Sequence, residues 1–429
     1  MLPSVHFSGC TPVWVWDTSF RVDGVPVKLL REGEAATFLG AQVGFNIVPR
    51  MASLAEITDI GLKIARSKLA PWQRIDALKT FFYPSTVHMQ RMGTFSKSDW
   101  ATIDRILRPE LKKTFYLPQE ASGEFLYGSA KRGGCGIRLL AEDSDIAAVD
   151  SGFKLLTSPE DRLASDATAH AKKTTGMRLR KNADVAELDQ YLSGEEDGVF
   201  RESRGYGGVW SRARNASERL GVPRVVDGGH TAITHDGTIL RRKQRREVMR
   251  TIRESLRLKR SETLTAKPDQ GRAMECVAAD SASTHFIESG DFTRFADWRF
   301  IHRARLNSVP LNGPSSWMAG DRRCRRCGYI TESLSHVVDH CMRCAALYLA
   351  WHNAIVAMTK EASRDAVPGD RRKPVDWVTE AAPGPGHQEG KCGVHCRRRN
   401  GPVRQQDGRL RRCGRVQKRE VRAAEGGAC

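Results

Sequence analysis

The order of apolar and polar residues predicts short strands near the amino end of the chain. Residues from Trp14 to Leu29 have a strand-like pattern, and Asp23-Gly24 lies inside it, where this dipeptide favours a tight hairpin turn. Residues 33–44, GEAATFLGAQVG, follow as a short apolar strand bounded by glycines. Together these stretches predict the edge of a small sheet.

Helical spacing replaces this pattern beyond about residue 54. It predicts four helices, over residues 54–69, 71–83, 99–107 and 145–156. Pro71 suits the first position of the second helix, and Pro109 is expected to end the third. The second helix has an apolar face made of Trp72, Ile75, Leu78 and Phe82. We expect this face in a core, because large apolar side chains are mostly buried. The predicted fold class is α+β and mainly helical.

A weakly periodic stretch then leads to a strongly basic one. From residue 158 to 221 small and charged residues dominate, which predicts a variable connector with helical pieces. Residues 241–260 carry ten lysines and arginines against two glutamates, and their apolar residues form one narrow stripe. We expect this helix to meet phosphates, with a solvated coiled-coil face as the alternative. The residues expected to contact nucleic acid are Arg241, Arg242, Lys243, Arg245, Arg246 and Arg250.

Two further stretches combine cations with groups that suit nucleic acid. Residues 298–306 interleave aromatic residues with Arg299, Arg303 and Arg305, which suits phosphates and unpaired bases. The alternative is a helix that packs its apolar residues, Trp298 first among them, into the small core of the cysteine-rich segment that follows. Residues 131–136, KRGGCG, form a glycine-rich loop that can approach a phosphate closely, although a plain turn is the simpler interpretation.

The cysteine-rich segment CRRCGYITESLSHVVDHC has the residue types and spacing of a metal site. Cys324 and Cys327 form a C-x2-C pair, and His336 and Cys341 follow on a predicted short helix. A turn supplies two thiolates, and the following helix supplies an imidazole and a third thiolate. This set of four donors predicts a structural zinc ion with tetrahedral coordination.

The second half of this segment leaves the choice of ligand open. Thr331, Glu332 and Ser333 offer a capping start for the helix. His340 is an alternative to Cys341, because both lie about one turn after His336 and side chains three or four apart share one face of a helix. Cys344 is a third candidate, because two C-x2-C pairs separated by thirteen residues would make a four-cysteine ribbon. The alternative to a metal site is a group of reduced thiols near surface histidines.

Composition and charge narrow the class of protein. The chain has 429 residues, enough for two or three domains. Its 69 lysines and arginines exceed 50 acidic residues by 19, which indicates a polyanionic partner such as RNA or DNA. The first residues lack the features of a secretory leader, so the 11 cysteines are expected as reduced thiols and secretion is not expected. No apolar run reaches the roughly 20 residues that span a bilayer, so we expect no membrane insertion.

Several of these stretches, in this order, resemble the carboxyl-terminal half of a known type of polyprotein. It is the polyprotein of site-specific, ribosomal-DNA-inserting non-LTR (LINE-type) retrotransposons. The resemblance extends over residues 20–374. The residues that carry it are Phe38-Leu39-Gly40, RIDALKTFFYPS at 74–85, the glycine loop at 133–137, Gln270-Gly271-Arg272, WRFIHRARLN at 298–307, and the cysteine-rich segment with Arg343 and Trp351 after it.

The resemblance implies part of an RNA-directed DNA polymerase (reverse transcriptase) with an endonuclease. Such a protein nicks its chromosomal target and copies its own RNA, so element RNA and target DNA are the implied partners and the nucleus is the implied location. The implied domains are the end of the palm at 1–48, a helical thumb at 49–160, a variable connector at 161–235, a basic helical linker at 236–318, a zinc knuckle at 319–360, the start of a truncated endonuclease-like region at 361–379, and a basic tail, disordered by composition, at 380–429.

The departures from this family are as informative as the resemblance. Family polymerases hold magnesium with paired aspartates, and this sequence contains no Asp-Asp pair. We therefore expect magnesium only in the parent polyprotein, and a fragment that grips nucleic acid without catalysis. After Pro374 the sequence turns to arginine, glycine and cysteine, which a change of reading frame would explain.

Two other functions compete with this interpretation. One is a zinc-knuckle nucleic-acid-binding adaptor with no polymerase ancestry, whose working surface is the basic helix and the knuckle. The other is a metal nuclease that uses Asp376, but one carboxylate beside a proline does not hold a catalytic metal.

Overall fold

The computed structural model is mainly helical, with a few short strands. It describes residues 4–8, 11–15, 21–27, 29–38, 41–44, 47, 51–92, 95–194, 200, 208–227, 230–279, 281–290, 293–313 and 320–365. The predicted endonuclease-like remnant with Asp376 and the predicted basic tail lie outside these residues, apart from the short stretch up to residue 365.

Three antiparallel hairpins occupy the first part of the described chain. They are β1 (Ser4–Ser8) with β2 (Thr11–Val15), β3 (Arg21–Val22) with β4 (Val25–Pro26), and β5 (Ala35–Phe38) with β6 (Ala41–Gly44). The predicted turn at Asp23-Gly24 is confirmed, since both residues have the positive φ that this turn requires, 50° and 77°. Residues 33–44 contain a hairpin where one strand was predicted, and the described strands here form separate two-stranded sheets.

Fourteen α-helices lie in the described chain. They are α1 (Met51–Ala65), α2 (Pro71–Ala77), α3 (Tyr83–Met92), α4 (Lys97–Thr114), α5 (Gly123–Tyr127), α6 (Leu140–Leu156), α7 (Asp161–Leu179), α8 (Val185–Ser193), α9 (Val209–Leu220), α10 (Val248–Thr265), α11 (Met274–Ala279), α12 (Phe286–Ser289), α13 (Phe295–Arg305) and α14 (Ala345–Asp365). A three-stranded antiparallel sheet, β7 (Arg224–Asp227), β8 (His230–His235) and β9 (Thr238–Leu240), separates α9 from α10.

The helix boundaries correct two predictions. A π-helical turn at Leu78–Phe82 joins α2 to α3, so the predicted second helix continues to Met92. Helix α4 runs through Pro109 and ends at Thr114. The helix continues past Pro109 because Leu107 and Leu111, on either side of the proline, are both buried, and this packing stabilises the helix.

The largest core joins α2 and α4 to the distant helix α13. Ile75, Leu78 and Phe82 each expose only 1% of their surface, which confirms the predicted apolar face. Trp298 of α13 is fully buried and stacks on Phe115 with ring centroids 5.5 Å apart. Of the two predictions for this stretch, packing is confirmed, but its partners are helices of the amino-terminal half and not the cysteine-rich segment.

The stretch interpreted as a variable connector is largely helical. It contributes α7, α8 and α9, and the last of these packs along α6. A second cluster of buried residues here includes Tyr191, Phe200 and Trp210. Alanines such as Ala213 and Ala216 fill the close helix contacts. Because alanine adds little hydrophobicity, a helix that packs through alanine shows weak periodicity in its sequence.

A row of buried carboxylates on α6 holds basic helices against it. Asp143 accepts a hydrogen bond from Nε of Arg253 at 2.8 Å, and Asp145 accepts one from Nε of Arg219 at 3.0 Å. Asp150 pairs with Arg91 of α3 and, at 2.9 Å, with Lys154 of its own helix. An unpaired buried carboxylate would cost several kcal/mol of stability, so each of these aspartates needs a basic partner. Part of the chain's positive charge is therefore used inside the protein.

The chain divides into two compact units, Met1–Leu334 and Ser335–Cys429. The first contains the hairpins, the three-stranded sheet and helices α1 to α13. The second contains α14 and the short turns before it. No helix in the described part of the chain combines the length and the hydrophobicity needed to span a membrane.

Candidate metal centre and basic surfaces

Residues 322–330, called the cysteine turn here, present two thiols from a compact loop. The backbone amide of Cys324 donates to the carbonyl of Tyr329 at 2.8 Å, and that of Gly328 donates to the carbonyl of Cys324 at 2.9 Å. Gly328 has a φ of 73°, a conformation that glycine adopts without strain. The chain therefore reverses tightly just after Cys327, as a C-x2-C metal turn requires.

Four side chains of the segment converge on one point. The ligand atoms of Cys324, Cys327, His336 and Cys341 all lie within 4.8 Å of one another. His336 comes from a π-helical turn over His336–His340, and Cys341 follows it in an extended conformation. Tetrahedral zinc with three thiolates and one imidazole places its ligand atoms roughly 3.5–3.8 Å apart. The cluster can therefore hold a metal such as zinc after small side-chain movements.

The two alternative ligands lie outside this group of four. His340 is exposed, and its Nδ1 is 3.2 Å from the carbonyl of Ser335. Cys344 is buried one turn further on, where its amide donates to the carbonyl of Cys341 at 2.7 Å. The choice of Cys341 over His340 follows from the π-helical turn, which changes the angular spacing that an α-helix would give.

Glu332 stabilises the cysteine turn, and the helical segment predicted after Ser333 begins at Leu334. Its buried carboxylate accepts hydrogen bonds from the amides of Asn312 at 2.9 Å and Arg325 at 3.1 Å, and from Nε of Arg325 at 2.9 Å. Burial opposes ionisation of this carboxyl, but these hydrogen bonds outweigh it and lower the pKa of Glu332. The carboxylate thus links the loop before the turn to the turn itself.

The outer surface of the cysteine turn is basic and partly apolar. Arg322, Arg323 and Arg326 are exposed, as are 57% of Tyr329 and 77% of Ile330. None of these three arginines is among the residues predicted to contact nucleic acid, although the adaptor hypothesis includes the knuckle in its working surface. The pattern that could have revealed it is the repeat Arg-Arg-Cys, in which two arginines precede each cysteine of the pair.

The predicted basic helix is only partly available to a ligand. The helix begins at Val248, not at residue 241, and Val248 and Ile252 are fully buried, as the apolar stripe predicts. Arg242 donates to the carbonyl of Ser158 at 2.7 Å, and Arg245 donates to the carbonyl of Lys154 at 3.0 Å. Arg245 is half-buried, whereas Arg241, Arg242, Lys243, Arg246 and Arg250 are exposed.

The three arginines of α13 serve the fold. The guanidinium of Arg299 lies 4.1 Å from the ring centroid of Tyr116, and Nε of Arg303 donates to the carbonyl of Tyr116 at 2.6 Å. Arg305 is 6% exposed and donates to the carbonyl of Gly133 at 3.3 Å. The prediction of a phosphate contact is therefore wrong for Arg305, whose guanidinium is used by a loop inside the protein.

The glycine-rich loop at residues 131–136 is a plain turn. The amides of Gly134, Cys135 and Gly136 donate to the carbonyls of Ser129, Phe125 and Gly128 at 2.8–2.9 Å. These donors point into the protein and do not face a phosphate. The simpler of the two interpretations of this loop is confirmed.

Comparison with known proteins gives little functional information. No family model matches the chain. An uncharacterized protein of Caenorhabditis elegans is 24% identical over 317 residues, which cover 68% of this chain and 89% of that protein. The similarity extends over most of both chains, and the name of that protein states no activity.

Proposed function

We propose that the chain is the nucleic-acid-binding carboxyl-terminal part of a reverse transcriptase and endonuclease polyprotein of the retrotransposon type. In this proposal it acts in target-primed reverse transcription in the nucleus, where it holds RNA and DNA for chemistry performed by other parts of the polyprotein. The support is the ordered set of sequence stretches described above together with the geometry of the cysteine turn.

The observation that carries the proposal is the combination of a metal-capable cluster with a basic outer surface. Cys324, Cys327, His336 and Cys341 provide a donor set that suits a structural zinc ion, which would fix the loop on which the arginines stand. Outward-facing guanidinium groups bind phosphates, and an exposed tyrosine ring can stack on an unpaired base. The exposed Arg322, Arg323, Arg326 and Tyr329 provide both kinds of contact on one loop.

A second basic surface supports the same role. Arg241, Lys243, Arg246 and Arg250 are exposed at the start of α10, where Arg250 exposes 75% of its side chain 3.7 Å from Glu247. Arg242 and Arg245 anchor this segment through the carbonyls of Ser158 and Lys154. The anchored arginines would thus hold the exposed ones in position for phosphate contacts.

The test is the salt dependence of binding to structured RNA and to duplex DNA. In a fluorescence-anisotropy titration of the zinc-loaded full chain, replacing Arg322, Arg323 and Arg326 by alanine should reduce the log–log salt slope by about 2 to 3. A control with the same charge change replaces the exposed residues Lys68, Arg162 and Lys173 by alanine and should change the slope little. An unchanged slope in the knuckle variant would reject this surface as the binding site.

The alternative is a zinc-knuckle adaptor that binds nucleic acid and has no polymerase ancestry. The separation of the described amino-terminal strands into independent hairpins favours it, because a palm edge would pair within one sheet. Both candidates bind nucleic acid, so the distinguishing observation is the coding sequence upstream in the genome. Paired aspartates in frame upstream support the polyprotein, and a host promoter with no such motif supports the adaptor. Primer extension with magnesium by the isolated chain would contradict both.

A further inference from the structure

Helix α14 has an apolar stripe that faces solvent. Leu347, Trp351, Ile355 and Met358 are spaced by four, four and three residues, which places them on one side of the helix. Their exposed fractions are 69%, 59%, 38% and 61%. Four large apolar side chains aligned and exposed on one helix are unusual for a surface without a partner.

We propose that this stripe binds the same stripe of a second copy of the chain, with the two α14 helices antiparallel. A two-fold axis beside His352 and Asn353 makes the contact self-complementary. It places Leu347 of one copy against Met358 of the other, and Trp351 against Ile355. A large flat ring then lies over a branched side chain at the centre of the contact, where binding energy concentrates.

The charges at the two ends of the stripe favour this partner and this orientation. Arg343 stands just before the helix and Glu361 stands near its end, and both are exposed. In the antiparallel pair each Arg343 lies beside Glu361 of the other copy, so two opposite-charge pairs flank the apolar contact. A parallel pair would place Arg343 beside Arg343, which is repulsive. The charges therefore select the antiparallel arrangement.

The size of the surface sets the strength of the association. Two stripes of four large side chains cover on the order of 1,000 Å², close to the lower limit for a specific interface. The net charge of +19 on each copy opposes association, and salt screens this repulsion. We therefore expect a dimer that forms at roughly micromolar concentration and strengthens with moderate salt.

Sedimentation velocity of the zinc-loaded full chain, at roughly 1 to 100 µM, tests the proposal. Trp351→Glu should raise the dissociation constant of the dimer by about 30-fold or more, because central tryptophans dominate such contacts. The matched control is Ala357→Glu, which adds the same charge at an exposed position about a third of a turn away from the stripe. Circular dichroism and zinc content should be equal in all variants, because the substituted side chains are exposed.

A charge reversal tests the orientation separately. Arg343→Glu should weaken the dimer, and adding Glu361→Arg in the same chain should restore it, because both opposite-charge pairs are then rebuilt with reversed sign. A wild-type chain that stays monomeric over the whole range overturns the proposal, and so does a Trp351→Glu variant that dimerises like the wild type. Failure of the double variant to recover overturns the antiparallel arrangement.

Discussion

His302 offers a direct test of how the core of the first unit responds to pH. Its imidazole is fully buried among aromatic rings, 4.2 Å from Trp298, 5.0 Å from Phe115 and 5.7 Å from Phe125 between centroids. In the described part of the chain neither ring nitrogen has a hydrogen-bond partner. Burial, and secondly the positive charge of Arg305, lower the pKa of His302 to about 3.

The sign of the pH effect follows from this lowered pKa. An unfolded histidine takes up a proton near pH 6.5, whereas the native protein leaves His302 neutral down to about pH 3. Below pH 6.5 the unfolded state therefore binds more protons, and the free energy of unfolding falls as the pH falls. The loss is about 1.4 kcal/mol per pH unit, which amounts to about 2 kcal/mol between pH 7.5 and pH 5.

The substitution His302→Phe removes the titrating group and keeps an aromatic ring. Urea unfolding followed by tryptophan fluorescence at several pH values should show the wild type losing about 2 kcal/mol relative to the variant between pH 7.5 and pH 5. At pH 7.5 we expect the variant to be as stable or more stable by about 1 kcal/mol, because two buried nitrogens without partners are removed. The control His88→Gln changes an exposed histidine and should leave the pH dependence unchanged.

Parallel stability curves for the wild type and His302→Phe would refute this reasoning. They would mean that the imidazole is protonated in the native protein or reaches water, and that the aromatic surroundings do not exclude charge. A variant less stable by several kcal/mol at every pH would instead mean that the core cannot accept the larger ring.

Three further predictions concern the metal centre, a glycine and a buried carboxyl. Cys327→Ser should reduce bound zinc well below one ion per chain in native mass spectrometry, whereas the exposed control Cys276→Ser should retain it. Gly134→Ala should cost about 1–3 kcal/mol in thermal unfolding, because a Cβ there would lie 2.6 Å from the backbone of Gly128. Burial raises the pKa of Asp104 to about 6, so the stability of the wild type relative to Asp104→Asn should decrease as pH rises from 4 to 6.

The positions of the basic side chains in the structure change the interpretation of the net positive charge. The excess of 19 basic residues indicated a polyanionic partner, but several of the arginines expected to meet that partner are used inside the protein. Arg245 donates to the carbonyl of Lys154, and Arg305 donates to the carbonyl of Gly133. Among the residues predicted to contact nucleic acid, those that are exposed in the described chain lie at the start of α10, with Arg299 on α13.

The features that the sequence determined by itself are those whose partners are close in the chain. Asp23-Gly24 forms its predicted turn because the conformation depends on those two residues. The ligand atoms of Cys324, Cys327, His336 and Cys341 converge because a tight turn and one helical turn bring them together. The same dipeptide, Asp236-Gly237, also has positive φ in the turn between β8 and β9, so this hairpin was readable in the sequence and was overlooked.

Only the tertiary structure decided which side of each charged or aromatic helix faces inward. The stretch from Trp298 to Leu306 has both stacking groups and cations, and burial against Phe115 selected packing. The sequence predicted only helical pieces where α7 to α9 lie, in part because alanines such as Ala171, Ala213 and Ala216 make many of their close contacts. Arginines from distant segments are held by buried aspartates of α6. In each case the free energy comes from contacts between residues far apart in sequence, which no local pattern records.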